Sequence, residues 1–83
     1  MAYLKDLSWQ KEFKYFTDAE RKVMLALSNE KFRWRTKERL LAVSGLEDEA
    51  VEEALANLIH RDKVRASISK RKNLIYGLRE RVG

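Results

Sequence analysis

The stretch from Thr36 to His60 restricts this chain most, because two helical patterns follow one another there with only a few residues between them. Thr36 is a candidate N-cap, since a threonine hydroxyl can accept from an amide of the first turn. Behind it, Leu40, Leu41 and Val43 are available to a core. Ser44-Gly45-Leu46 ends this first pattern, with Gly45 able to take the left-handed conformation that follows a helix C-terminus. The second pattern runs from Glu47 or Asp48 to His60. Val51, Leu55 and Leu58 recur at i, i+4 and i+7 on its inner face, supported by Ala54 and Ile59. A connection this short does not let the helices separate, so they must cross over a common core as a helix-turn-helix does.

The flanking segments extend the same core. Thr17-Asp18-Ala19-Glu20 reads as a capping box, and Val23, Met24 and Leu27 mark one buried face of a helix predicted over 18–28. Phe32-Arg33-Trp34-Arg35 alternates apolar and basic residues, as a short half-buried strand does. Trp34 reads as a core residue there, with a stacking platform for single-stranded nucleic acid as the alternative. Val64 to Ser69 alternates strictly, with Val64, Ala66 and Ile68 inward. Lys70-Arg71-Lys72-Asn73 makes a polar turn, and Leu74 to Leu78 returns with Leu74, Tyr76 and Leu78 on one face, which completes a hairpin. In the N-terminal segment, residues 1–16, Trp9, Phe13 and Phe16 are spaced i, i+4, i+7. Ser8 is positioned to cap a short helix whose aromatic face packs on the core, and residues 17–83 form the domain proper.

The order helix, short strand, helix, turn, helix, hairpin resembles the winged helix-turn-helix superfamily over residues 16–79. The resemblance is carried by Arg35-Thr36, by Leu40-Leu41-Ala42-Val43-Ser44-Gly45-Leu46, by Val51, Leu55, Leu58 and Val64, and by Tyr76-Gly77-Leu78. It implies an α+β, mostly helical fold: a three-helix core, a short first strand and a C-terminal β-hairpin wing. In many members it also implies DNA binding, with the third helix in the major groove and the wing against a neighbouring groove or the backbone. Other members dock proteins, and fold alone does not choose between them.

Charge separates these possibilities. The chain carries a net charge of +5, but residues 47–62 hold six acids against one base and residues 63–83 hold seven bases against one acid. The third helix opens with Glu47-Asp48-Glu49 and continues with Glu52 and Glu53. Such a surface repels a duplex bearing about one phosphate charge per 1.7 Å of axis, so conventional insertion of this helix is unfavourable. Acids also favour a helix N-terminus whatever the helix does. The candidate nucleic-acid surface is therefore Arg33, Arg35, Lys37 and Arg39 of the first strand and second helix, with Arg65, Lys70, Arg71 and Lys72 of the wing contacting phosphates of DNA. The alternative is a protein-interaction or dimerisation module, using Glu49, Glu52 and Glu53 to meet a basic partner or Trp9 and Phe13 for a partner or self-association.

Catalysis has no foothold in this sequence. His60 is the single histidine and cysteine is absent, so a zinc site would need carboxylates for nearly every ligand. No glycine-rich loop cradles a phosphate, and no serine has a recognisable base beside it. The expectation is a non-catalytic module with no cofactor, no metal and no small-molecule substrate. The lack of cysteine fits a reducing cytoplasm, and no apolar run reaches the ~20 residues of a membrane span.

Overall fold

The computed structural model describes residues 7–83; residues 1–6 of the N-terminal segment lie outside the described residues. The first two α-helices begin where a threonine side chain satisfies a first-turn amide. The Glu20 amide donates to Thr17 Oγ1 (3.2 Å) and the Thr17 amide donates back to Glu20 Oε1 (3.0 Å), so the capping box opens α1 (Asp18–Leu27). Thr36 Oγ1 accepts from the Arg39 amide at 3.3 Å and opens α2 (Lys37–Ser44). Gly45 ends α2 at φ 71°, its amide donating to the Leu41 carbonyl at 3.1 Å. A side chain at that φ would be strained, which is why glycine sits there. Then α3 (Asp48–His60) follows directly.

Three antiparallel strands complete an α+β, mostly helical fold. They are β1 (Arg35–Thr36), β2 (Val64–Ile68) and β3 (Leu74–Leu78), ordered β1-β3-β2. Arg35 pairs with Tyr76, while Val64 pairs with Leu78 and Ile68 with Leu74. A last short helix, α4 (Arg79–Val82), closes the chain. This order is compatible with a winged-helix arrangement.

The expected strand over Phe32–Arg35 differs from the observed one. Pairing begins only at Arg35, so the inward-outward parity does not apply to residues 32–34. Phe32 is 53% exposed and Arg35 only 6%, and Trp34 is half-buried. The Arg35 guanidinium lies 5.0 Å from the centroid of the Phe32 ring, a cation–π distance. The crossing of this segment depends on Gly77. A Cβ there would stand 2.8 Å from the Arg33 carbonyl oxygen and 3.1 Å from Trp34 Cε3.

One core is shared by the N-terminal segment, the three longer helices and the hairpin. Val23, Leu27, Leu40, Val51, Leu58 and Leu78 are wholly buried. From the N-terminal side, Trp9 and Phe16 enter it, 6.1 Å apart and edge-on. Trp9 lies in a 3-10 helix (Ser8–Tyr15). Its indole Nε1 donates to Ser28 Oγ (3.1 Å), which donates to the Met24 carbonyl (2.7 Å), so the buried indole is satisfied. Ser8 is not the cap of this helix, as the sequence suggested. Instead Glu80 of α4 accepts from the Ser8 amide (2.6 Å), the Ser8 hydroxyl (2.8 Å) and the Trp9 amide (3.1 Å). Beside it, Arg81 donates to the carbonyls of Leu27 (3.0 Å), Asn29 (2.7 Å) and Phe32 (3.2 Å). Burial lowers the Arg81 pKa, with nearby Arg33 adding to the effect.

Four residues expected inward are instead exposed. Ile59 is 40% exposed, Ile68 61% and Leu74 50%, and Ala66 is exposed as well. The hairpin outruns the helices: only its base, at Val64, Tyr76 and Leu78, packs on the core. Alternation placed Val64, Tyr76 and Leu78 in the core but not the distal half of the hairpin, where Ser67 is less exposed than Ala66 and Ile68.

Gly77→Ala is expected to cost about 1–3 kcal/mol, because the backbone of Arg33 cannot yield as a flexible side chain could. Urea denaturation measures it; an unchanged midpoint would mean that residues 33–34 do not press on β3 as described.

Candidate nucleic-acid interface

The hairpin turn is built, and it presents three cations. The Ser69 amide donates to the Asn73 carbonyl (2.8 Å), the Lys72 amide donates to the Ser69 carbonyl (2.9 Å), and the Asn73 amide donates to Ser69 Oγ (3.1 Å). Lys72 takes a left-handed φ of 64° to close it. Lys70, Arg71 and Lys72 are all exposed on this turn. Because the backbone is held, three positive charges are displayed on consecutive residues beyond the core.

The other expected cations are dispersed or already engaged. Lys37 donates to Asp48 Oδ1 (2.7 Å) and to Glu52 Oε1 (2.5 Å). Those bonds, Asp48 first and Glu52 second, raise its pKa above the usual lysine value. Arg35 is buried, so it is not a phosphate ligand and serves the fold instead. Arg65 donates to the main-chain oxygen of Gly83. Arg39 is exposed on the first turn of α2, whose neighbours Thr36, Lys37 and Glu38 share a shallow groove with Asn73, Leu74 and Tyr76. It therefore stands on the element nearest the hairpin's distal half. Arg33 is exposed too, but its carbonyl abuts Gly77, roughly four residues or ~13 Å along β3 from the turn. Lys70, Arg71 and Lys72 thus share one turn, Arg39 stands on the helix that borders the hairpin, and Arg33 lies apart.

The acids of α3 divide by direction. Asp48, Glu49, Glu52 and Glu53 are all exposed. Lys37 draws Asp48 and Glu52 toward α2, whereas Glu53 borders a shallow depression with Thr17, Glu20 and Asn57 between α1 and α3. Lys37 thus compensates part of the acidic charge, and none of the turn cations is recorded in an ion pair among the described residues. Of the two aromatic candidates, Trp9 is 1% exposed and cannot meet a partner, while Phe13 is 42% exposed. Phe13 is flanked by Trp9 at 5.8 Å and by the Arg21 guanidinium at 4.6 Å.

The exposed apolar pair Ile68 and Leu74, cross-strand neighbours just below the turn, was not foreseen. The only hint was the length of the strands relative to the helices they leave. Among the described residues, no group of three or more histidine, cysteine, aspartate or glutamate side chains is arranged to hold a metal, and no helix is long and apolar enough to cross a membrane. Compared with family models, with curated proteins and with solved structures, the chain matches none.

Lys37→Met tests the link between α2 and α3. A raised lysine pKa stabilises the folded chain below the unfolded value near 10.4 and ceases to do so as pH rises through the folded value. The stability advantage of the unmodified chain over Lys37→Met should therefore be level from about pH 7 to about pH 10 and shrink above that. Urea midpoints across that range check it, and an advantage that fades already near neutrality would assign the effect to another group.

Proposed function

We propose that this chain is a non-catalytic winged helix-turn-helix module that holds DNA by its phosphates through the wing, without inserting the third helix. The observation that carries the reading is the ordered turn bearing Lys70, Arg71 and Lys72, all exposed. The winged-helix assignment is supported by the order of elements, by the Gly45 turn between α2 and α3 and by the hairpin after α3. Arg39 adds a fourth cation on the neighbouring helix. Arg33 and Arg65 lie farther back on the sheet and contribute long-range attraction more than contact. With Glu49 and Glu53 exposed on α3, the duplex is met by the wing and kept off that helix. Such binding is strong in salt dependence and weak in sequence preference, since phosphates carry no sequence information.

A second reading is favoured by those same acids. Glu49 and Glu53 leave the third helix with uncompensated negative charge, and a basic protein partner would find complementarity there. Reversing both to lysine separates the two readings, because it should strengthen DNA binding under the first and abolish partner binding under the second.

Titration of a labelled random-sequence duplex at several salt concentrations tests the first reading. Affinity is expected to fall steeply with salt, and replacing Lys70, Arg71 and Lys72 together by alanine should flatten the log–log slope by about 2–3, close to 0.9 per phosphate contact. No binding at low salt, or a slope indifferent to the triple replacement, removes the wing from the reading.

A further inference from the structure

Among the described residues, the outer edge of β2 is open. In the sheet order β1-β3-β2 it is an edge strand. The Arg79 amide donates to the Lys63 carbonyl (3.0 Å) and the Ser69 amide donates to the Asn73 carbonyl (2.8 Å). Hydrogen-bonded pairs therefore fall at odd-numbered residues of this strand. Antiparallel ladders alternate, so the amide and carbonyl groups of Val64, Ala66 and Ile68 point away from β3 toward solvent. Sheets commonly blunt such an edge with a proline, a bulge or inward charges. Here the β2–β3 register runs without interruption from Val64↔Leu78 to Ile68↔Leu74, the chain has no proline, and Arg65 is the one charged residue in the strand. Apolar surface accompanies the edge. Ile68 is 61% exposed and Ile59 40%, and a groove beside the strand is lined by Ile59, Val64 and Ala66 together with Asp62, Arg65 and Arg79.

We propose that β2 pairs antiparallel with β2 of a second copy of this chain, about a two-fold axis at Ala66, to make one continuous sheet across the dimer. The strand is complementary to itself in that register. Ala66 meets Ala66 on the axis as a hydrogen-bonded pair, and Ile68 of each copy lies opposite Val64 of the other, beside the groove containing Ile59. Arg65 falls opposite Ser67, so the two guanidinium groups are not directly opposed, an arrangement that would be destabilising. Beyond the paired strands, the turn that carries Lys70 in each copy falls toward the end where the other copy carries Asp62, whose side chain is 79% exposed beside Arg79 at 3.4 Å, so opposite charges face each other at both ends. An axis at Arg65 would oppose the two guanidinium groups and leave Ile68 unmatched, and one at Ser67 would leave Val64 unmatched, so each pairs only two of the three outward residues, for about four hydrogen bonds. Among the remaining positions, only Ala66 pairs all three outward residues, for about six hydrogen bonds between copies. The inference is independent of nucleic acid, and DNA is left out of its test.

Sedimentation equilibrium of the full chain, from micromolar concentrations to ~1 mM, reads the association directly. A reversible monomer–dimer equilibrium is expected. Ala66→Pro removes an amide that only the second copy uses, and proline is tolerated on an edge strand whose amide faces solvent. Ile68→Lys places a charge on the apolar seam at a position already exposed in one copy. Each should weaken the dimer by about tenfold or more while keeping a cooperative thermal transition. Should Ala66→Pro lose that transition, Ile68→Lys carries the decision. A chain that stays monomeric at ~1 mM, or a dimer undiminished in a folded variant, overturns the proposal.

Discussion

The buried carboxylate of Glu20 holds the architecture at its most vulnerable joint. It is 4% exposed, and an unpaired charge at such a site would cost several kcal/mol. Three groups from two helices answer it. Thr17 supplies an amide at 3.0 Å, Asn57 an amide nitrogen at 3.4 Å and Arg61 a guanidinium nitrogen at 3.4 Å. The first is the start of α1, and the other two belong to the last turn and C-cap of α3. Arg61 also lies 4.5 Å from the Phe16 ring and donates to the Tyr15 carbonyl, which draws the N-terminal segment into the same joint. The chain leaves α3 there and enters β2 two residues after Asp62, so fixing the end of α3 fixes the direction in which the hairpin departs.

Most of the framework was legible because it is written in local chemistry. A threonine or glycine at Thr17, Thr36 and Gly45 decides a helix terminus within its own few residues, and the observed ends lie within a residue of those expected. The hairpin turn at Lys70–Asn73 was equally plain. What escaped was written in tertiary contacts. Nothing near Phe32 announces that the next strand starts only at Arg35, because its pairing partner is Tyr76, far along the chain. Nothing near Ser8 announces that its cap comes from Glu80. The candidate site divides in the same way: the turn cations were readable as a run, whereas the burial of Arg35 and the capture of Lys37 by Asp48 and Glu52 depend on how α2 and α3 face each other.

The resulting charge distribution is layered. Lys37 ties part of the acidic surface of α3 to α2, and the hairpin carries its cations on a turn that the helices do not reach. Opposite charges within one small domain thus keep apart, because the paired ones are spent on packing and the remaining ones sit on separate projections. Self-neutralisation would have needed a shorter hairpin or a longer third helix.

The contacts of Glu80 with Ser8 and Trp9 join residues more than seventy positions apart. A chain emerging from a ribosome meets this as a problem of timing. The three helices can gather as they appear, since their contacts lie closer in sequence, but the bonds that close over Trp9 await Glu80, 71 positions later, so α4 acts as a latch that follows the helices it fastens.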